Sequence, residues 1–175
     1  MFAVTERLLL RPGWAEDATA LARAIGDARI VRNLSRAPFP YSVRDAEAFL
    51  AHACDPLRPA FLIFRRDTMD LVGGIGLHGE EQAELGYWIA RAHQGRGYAT
   101  EAGCAIVGLA DASLRLPRLV ASHALDNPAS GRVLTKLGFH PSGRIGMLHS
   151  LGRGCEMPVR LFARDRAEQA PALAA

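Results

Sequence analysis

Gln94-Gly95-Arg96-Gly97-Tyr98-Ala99-Thr100 joins the end of an apolar run to the start of an alanine-rich one, and its reading decides the fold. Upstream, residues 83–90 read as an apolar strand. Downstream, residues 99–113 carry apolar side chains at Ala102, Ala105, Ile106 and Leu109, offsets of three and four that describe one face of a helix. The first turn of such a helix leaves backbone N–H groups without intrahelical partners, and the helix dipole adds about half a positive charge there. A phosphate bound at that point needs little side-chain help. Gly95 and Gly97 allow positive φ and a close approach that a Cβ would block, and Arg96 adds mobile positive charge. A plain glycine-rich strand-to-helix turn would use the same residues, so the rest of the chain must decide between the two readings.

Working outward, residues 7–12 form a first strand that stops at Pro12-Gly13, and residues 16–30 form a helix with Ala18, Leu21, Ala22 and Ile25 inward. Pro38-Phe39-Pro40-Tyr41 is a stiff aromatic loop. Ser42 is the expected N-cap of a second helix, with Asp45 three residues on and Ala46, Phe49 and Leu50 as its buried face. Prolines 56 and 59 close it. Residues 60–64 and 71–77 make a hairpin across the turn at 67–70. The strand at 82–90, the helix to 113 and an apolar segment at 118–124 form one strand–helix–strand unit, long enough for a parallel crossover. A short helix at 127–138 and two terminal strands, near 142–147 and 157–163, complete the order. The pattern predicts a mixed α/β layer fold with helices covering a central sheet. A dinucleotide-binding fold fits poorly, because an antiparallel meander precedes the glycine turn and Thr100 stands where a third glycine belongs.

The 175 residues suit one domain, with 22% charged and 49% hydrophobic residues as in ordinary soluble chains. Arginines are scattered without a block of like charge, so the net charge of +3 does not argue for a nucleic-acid partner. Cys54, Cys104 and Cys155 form no CxxC pair or Cys/His array, which points to a reduced cytoplasmic setting and no structural metal. Glu6 and Arg7 interrupt any secretory apolar core, and no stretch of about eighteen apolar residues exists to span a membrane. A homodimer is compatible with all of this.

A second motif follows some thirty residues after the first. Asn127-Pro128-Ala129-Ser130 opens a helix that Lys136-Leu137-Gly138-Phe139 ends. Asn127 suits the N-cap, Pro128 the first helical position, and Gly138 the left-handed C′ position that turns Phe139 back onto Leu134. Ser130 gains little as a cap once Asn127 holds that role. Gln94-x-x-Gly97-x-Ala99 followed by Asn127-x-x-Ser130 and Lys136-Leu137-Gly138-Phe139 resembles the GNAT acyl-CoA N-acyltransferases. Thr5-Glu6-Arg7-Leu8, the loop at 38–41 and Glu84-Leu85-Gly86-Tyr87-Trp88-Ile89 resemble more narrowly its ribosomal-protein alanine N-acetyltransferase branch. The resemblance runs from residue 5 to about 165.

That resemblance implies a single acetyltransferase domain over residues 1–168, with a disordered tail at 169–175. The expected fold class is α/β (α+β): a mixed, mostly antiparallel, twisted sheet with splayed central strands and about four flanking helices. It implies acetyl-CoA as cosubstrate, its pyrophosphate on the backbone of Gln94, Gly95, Arg96, Gly97, Tyr98, Ala99 and Thr100. Its pantetheine arm would pair along the strand ending at Trp88-Ile89, with Asn127 beside the arm and Ser130 near the sulfur. The acceptor is an amine, a protein N-terminal α-amine first and a polyamine or aminoglycoside as the alternative, with a non-catalytic acyl-CoA sensor as a further alternative.

Acetyl transfer requires a neutral amine, so a group must accept a proton. Side chains alternate along the strand, with Glu84, Gly86 and Trp88 on one face and Leu85, Tyr87 and Ile89 on the other. Glu84 is the first candidate for the general base. His78, with the residue type whose unperturbed pKa lies nearest neutrality, and Glu80 and Glu81 at the preceding turn are rivals. Many members of the family it resembles protonate the leaving thiolate from a tyrosine in the helix corresponding to 127–138; here the matching residue is Leu134, which leaves Ser130 as the candidate donor. The acceptor pocket is expected to draw on residues 33–41, with Phe39 and Tyr41 as candidate linings, and on the turn carrying His149, Arg153 and Cys155.

Overall fold

Short apolar runs bounded by turn residues become strands because each can bury one or both faces against a helix layer. The computed structural model describes residues 1–52 and 55–166. Cys54 and the tail expected at 169–175 lie outside them. In chain order the elements are β1 (Ala3–Val4), β2 (Leu8–Arg11), α1 (Ala18–Ile25), α2 (Ala28–Val31), α3 (Val43–His52), β3 (Ala60–Arg65), β4 (Leu71–His78), β5 (Ala83–Ile89), α4 (Tyr98–Ala112), β6 (Arg118–Ala124), α5 (Pro128–Lys136), β7 (His140–Ser150) and β8 (Cys155–Asp165). Eight strands form one open sheet in the order β1-β2-β3-β4-β5-β6-β8-β7. Every neighbouring pair is antiparallel except β5 and β6, which α4 connects in parallel.

The two sheet faces carry separate cores. On one, α4 and α5 close over Leu10, Ile63, Val72, Leu85, Ile106, Leu134 and Phe139. On the other, α1 and α3 contribute Leu21, Ile25, Ala46 and Leu50 against Leu62 and Phe64. Arg11, at the end of β2, is buried with its guanidinium bidentate to Asp17 at 2.7 and 2.8 Å and lies within contact of both the Trp14 and Phe64 rings. A buried cation tolerates that position because both its charge and its planar faces are matched.

Local chemistry accounts for most element ends. Ser42 and Asp45 exchange the two bonds of a capping box at 2.8 and 3.2 Å and start α3. Asn127 accepts from the Ser130 amide at 3.4 Å, Pro128 begins α5, and Gly138 at φ 82° lets the Phe139 amide donate to the Leu134 carbonyl at 3.0 Å. The helix expected over 16–30 is divided instead. Asp27, in extended conformation, accepts from the Arg29 amide at 2.8 Å, and this bond offers the backbone an alternative to continuing α1. Phe49, expected inward, is 47% exposed, because Ala46 and Leu50 one turn apart already form the inward stripe of α3 and Phe49 falls beside it. β7 and β8 extend beyond the expected 142–147 and 157–163, since each borrows a partner for residues with no strand pattern of their own.

Phe139 is fully buried where α5 returns to the sheet. Phe139→Ala is expected to lower unfolding free energy by about 3–5 kcal/mol, readable as a shifted midpoint in urea with an unchanged slope.

Candidate active site

β5 is paired with β4 over all but its first residue, from Gly73 opposite Ile89 to His78 opposite Glu84. Its pairing with β6 is confined to Ala83 with Leu119 and Glu84 with Val120. From residue 85 onward the two strands part, and the backbone edge of β5 that faces β6 has no strand partner. A cavity of about 460 Å³ fills the wedge. It runs from the 94–100 turn, past α5, to His78, Glu84 and Ser122.

At one end Gly97, with φ 83°, precedes α4 and supplies no capping side chain, so the first-turn amides face outward without one. Gly95 also has positive φ, at 75°. Gln94 braces the turn by donating from Nε2 to the Ile89 carbonyl at 3.0 Å. Arg7 clamps it from beneath: its Nη1 donates to the Arg96 carbonyl at 3.1 Å, its Nε to Glu101 at 2.7 Å, and its guanidinium covers the Tyr98 ring at 4.9 Å. Glu101 also accepts from the Thr5 hydroxyl at 2.6 Å and the Arg7 amide at 2.9 Å. The Thr5-Glu6-Arg7-Leu8 stretch therefore holds the glycine turn. Both segments stand out in the sequence, but nothing in it shows that they touch.

At the other end His78 Nε2 lies 3.5 Å from the Glu84 carboxylate, which also accepts from the Ser122 hydroxyl at 3.0 Å. Gly86 makes room for this: a Cβ on it would stand 2.9 Å from His78 Cε1. His78 first, and Ser122 after it, outweigh burial and hold the Glu84 carboxyl below the usual glutamate range. Between the two ends, Tyr87 reaches from β5 to α5, with its hydroxyl 2.8 Å from Ser130 Oγ and 3.0 Å from the Ser130 carbonyl. Burial pushes the Tyr87 phenol up to about 12.

Of the residues singled out from sequence, Glu84, Trp88, Ile89, Gln94, Gly95, Gly97, Tyr98, Ala99, Thr100, Asn127 and Ser130 all line this cavity, as does His78. Arg96 does not, and the Tyr98 side chain is buried in the core. Glu80 and Glu81 lie on the exposed turn outside it. Asn33, Leu34 and Ser35 do reach it, joined by Leu148, whereas Phe39, Tyr41, His149, Arg153 and Cys155 do not. Arg153 instead pairs with Asp126 at 2.8 Å and donates to the Arg32 carbonyl, tying the β7–β8 turn to the end of α2. Sequence reasoning missed Tyr87, His93 and Ser122. His93 directly precedes the glycine turn, and Tyr87 and Ser122 become visible only when three strands are aligned.

Three features fit an extended donor carrying a pyrophosphate. The free edge of β5 can pair with amides of a linear arm, the uncapped turn can hold the phosphates, and the buried Nδ1 of His93 makes no hydrogen bond among the described residues. Among those residues no group of His, Cys, Asp and Glu could hold a metal ion, and no helix is long and apolar enough to cross a membrane.

The family model described as an acetyltransferase (GNAT) domain matches residues 7–140. An uncharacterised N-acetyltransferase of Bacillus subtilis, YoaA, is 32% identical over 146 residues, 79% of this chain and 82% of its own. The ribosomal-protein-serine acetyltransferase of Escherichia coli is 33% identical over 108 residues, 59% of each chain. Among solved structures, the ribosomal L7/L12 α-N-protein acetyltransferase in complex with coenzyme A aligns at a TM-score of 0.79 and 20% identity, over 97% of this chain and 100% of that one. The chain belongs to the GNAT acetyltransferases. It is an acetyl-CoA-dependent acyltransferase.

Two outcomes follow from the site's geometry. Arg7→Met removes the clamp under the turn and is expected to raise KM for acetyl-CoA roughly tenfold, the equivalent of about 1.4 kcal/mol, with little change in kcat. Because Glu84 titrates lower when folded than unfolded, its pairing stabilises the fold above the ordinary glutamate value near 4.3 and ceases to do so as pH falls through the folded value. The stability advantage of the wild type over Glu84→Gln should therefore shrink in acid, as read from urea midpoints between about pH 6 and 3.

Proposed function

We propose that the protein transfers the acetyl group of acetyl-CoA to the α-amine at a protein N-terminus. The observation that carries this reading is the charge of the cavity wall: among its described lining residues Glu84 is the one carboxylate, and it is already engaged by His78 and Ser122. Arg29, Arg132 and Lys136 line the same space. Polyamines and aminoglycosides carry several positive charges and require carboxylates to receive them, which this wall lacks. A peptide end brings one amine. That amine is also on the order of 10² times more often neutral than a lysine amine at the same pH.

In this reading the acyl donor, when bound, supplies an activated carbonyl on a thiol leaving group. The first-turn amides of α4 hold its phosphates, Asn127 and the free edge of β5 orient its arm, and Ser130 lies at the sulfur. The Glu84 carboxylate, ionised and drawn toward His78, is a weak proton acceptor but a strong orienting charge. Glu84 and His78 therefore act as a pair: His78 takes the amine proton and Glu84 sets the ring and stabilises the cation that forms. The sequence left His78 and Glu84 as rivals; their 3.5 Å contact supports a shared role. The free thiols of Cys104 and Cys155 support a cytoplasmic setting for the reaction.

The test is a panel of acceptors with acetyl-CoA, read by thiol release and acceptor mass. Peptides with a free N-terminus should be acetylated there. The same peptides with a blocked N-terminus and an internal lysine, spermidine and an aminoglycoside should not. His78→Gln and Glu84→Gln are expected to lower kcat by roughly 10² or more while leaving acetyl-CoA affinity intact. Comparable turnover of spermidine and the free peptide would sink the acceptor assignment.

A further inference from the structure

The contact between Tyr87 and Ser130 crosses the cavity at the level where the two strands are apart, and no other pair of hydroxyl groups among the described residues does so. Tyr87 comes from β5 and Ser130 from the first turn of α5, forty-three residues later. Both line the cavity. α5 itself carries no tyrosine, and its Leu134 is fully buried in the core and not part of the cavity wall.

The hydrogens available to this contact limit what it can do. Tyr87 Oη carries one hydrogen, and Ser130 Oγ carries one. Within reach are two acceptors besides the cavity: the Ser130 carbonyl, 3.0 Å from Tyr87, and the partner hydroxyl at 2.8 Å. If Tyr87 donates to the carbonyl, the serine hydrogen is free to turn back to Tyr87 and nothing points into the cavity. If Tyr87 donates to Ser130 Oγ, the serine can no longer donate to Tyr87, and its hydrogen turns outward. In the second arrangement Ser130 also becomes a stronger donor, since accepting one hydrogen bond polarises the hydroxyl toward giving another.

We propose that Tyr87 is a positioning residue for acyl transfer: by donating to Ser130 Oγ it aims the serine hydrogen at the sulfur of the bound thioester. This rests on the acetyl-transfer reading above. As the amine nitrogen bonds to the acyl carbon, the carbon–sulfur bond breaks and its electron pair goes to sulfur. The amine proton goes to His78, and Ser130 hydrogen-bonds the sulfur where negative charge grows. Atoms and charge balance with the thiolate as product, so no further reactant is needed. A donor aimed beforehand at the atom that gains charge acts mainly on the transition state, and so on kcat. Burial of the Tyr87 phenol, with its pKa pushed up to about 12, keeps its hydrogen in place across the neutral and mildly alkaline range.

The experiment is a double-mutant cycle of Tyr87→Phe, Ser130→Ala and the pair, measured as kcat and KM with a free-N-terminus peptide. The same cycle is measured as slow thiol release from acetyl-CoA in water without any amine. Calorimetry gives the acetyl-CoA affinity of each variant. Each single variant is expected to lose roughly 10- to 100-fold in kcat, with affinity for acetyl-CoA within about twofold of wild type. The double variant should lose no more than the worse single one, because both changes remove the same donor. Tyr87→Phe with unchanged kcat overturns the proposal, and so do losses that multiply in the double variant. A loss confined to acetyl-CoA affinity assigns Tyr87 a packing role and also overturns it. Should the peptide not be acetylated, the acceptor assignment fails separately, and the reaction with water still decides the role of Tyr87 by the same comparison.

Discussion

The parting of β5 from β6 is the constraint on which the rest of the molecule depends. Two strands that begin as parallel neighbours are held together at Ala83–Leu119 and Glu84–Val120 and then diverge, so one strand edge inside a continuous sheet is left unpaired. Buried backbone groups without partners are costly, and a protein keeps them only where another molecule completes them. Here the divergence also creates depth. It exposes the start of α4 on one side of the wedge and the hydroxyl of Ser130 on the other. The residues of both sheet faces then meet in one cavity.

Keeping such a wedge open requires support from outside it. β4 braces β5 from Glu84 to Ile89, β8 braces β6 from Arg118 to Ala124, and α4 and α5 pack on a shared core below. The glycine turn receives its own brace from Arg7 and Glu101, which tie the N-terminal strand region to the first turn of α4. Small residues are needed where these parts approach closely. Gly86 leaves space for the His78 ring, and Gly131 lets α5 lie against His123, whose Nε2 would stand 2.7 Å from a Cβ there. The catalytic candidates thus sit on strands and helix starts, which hold them more narrowly than loops would.

Local chemistry was legible in the chain wherever a single segment carries its own cause. The Asn127-Pro128 start and Gly138-Phe139 end of α5, the capping box at Ser42 and Asp45, and the positive-φ glycines at 95 and 97 all follow from residue type and spacing. The break after Ile25 had a signal in Gly26-Asp27 that the apolar periodicity on both sides outweighed: Gly26 caps α1, and Asp27 starts α2 by accepting from the Arg29 amide. Phe49 misled because it is apolar at an offset compatible with the inward stripe, and only the packing of α3 on α1 shows which offset is inward. Phe39 and Tyr41 likewise looked like pocket linings, yet Asn33, Leu34 and Ser35 from the same loop are the ones that reach the cavity.

By itself the sequence determined the class of fold and marked a candidate anion site, since a strand, a glycine turn and a helix start within seven residues present unpartnered amides through local backbone geometry. Periodicity and capping act over a few residues and need no partner to be read. Tertiary structure alone decided which polar side chains are combined in the cavity. His78, Glu84 and Ser122 belong to three strands, and Tyr87 and Ser130 to a strand and a helix far apart in the chain. Which carboxylate is paired, which hydroxyl faces another and which charges line the cavity are properties of distances, and distances between remote segments exist only once the sheet has formed.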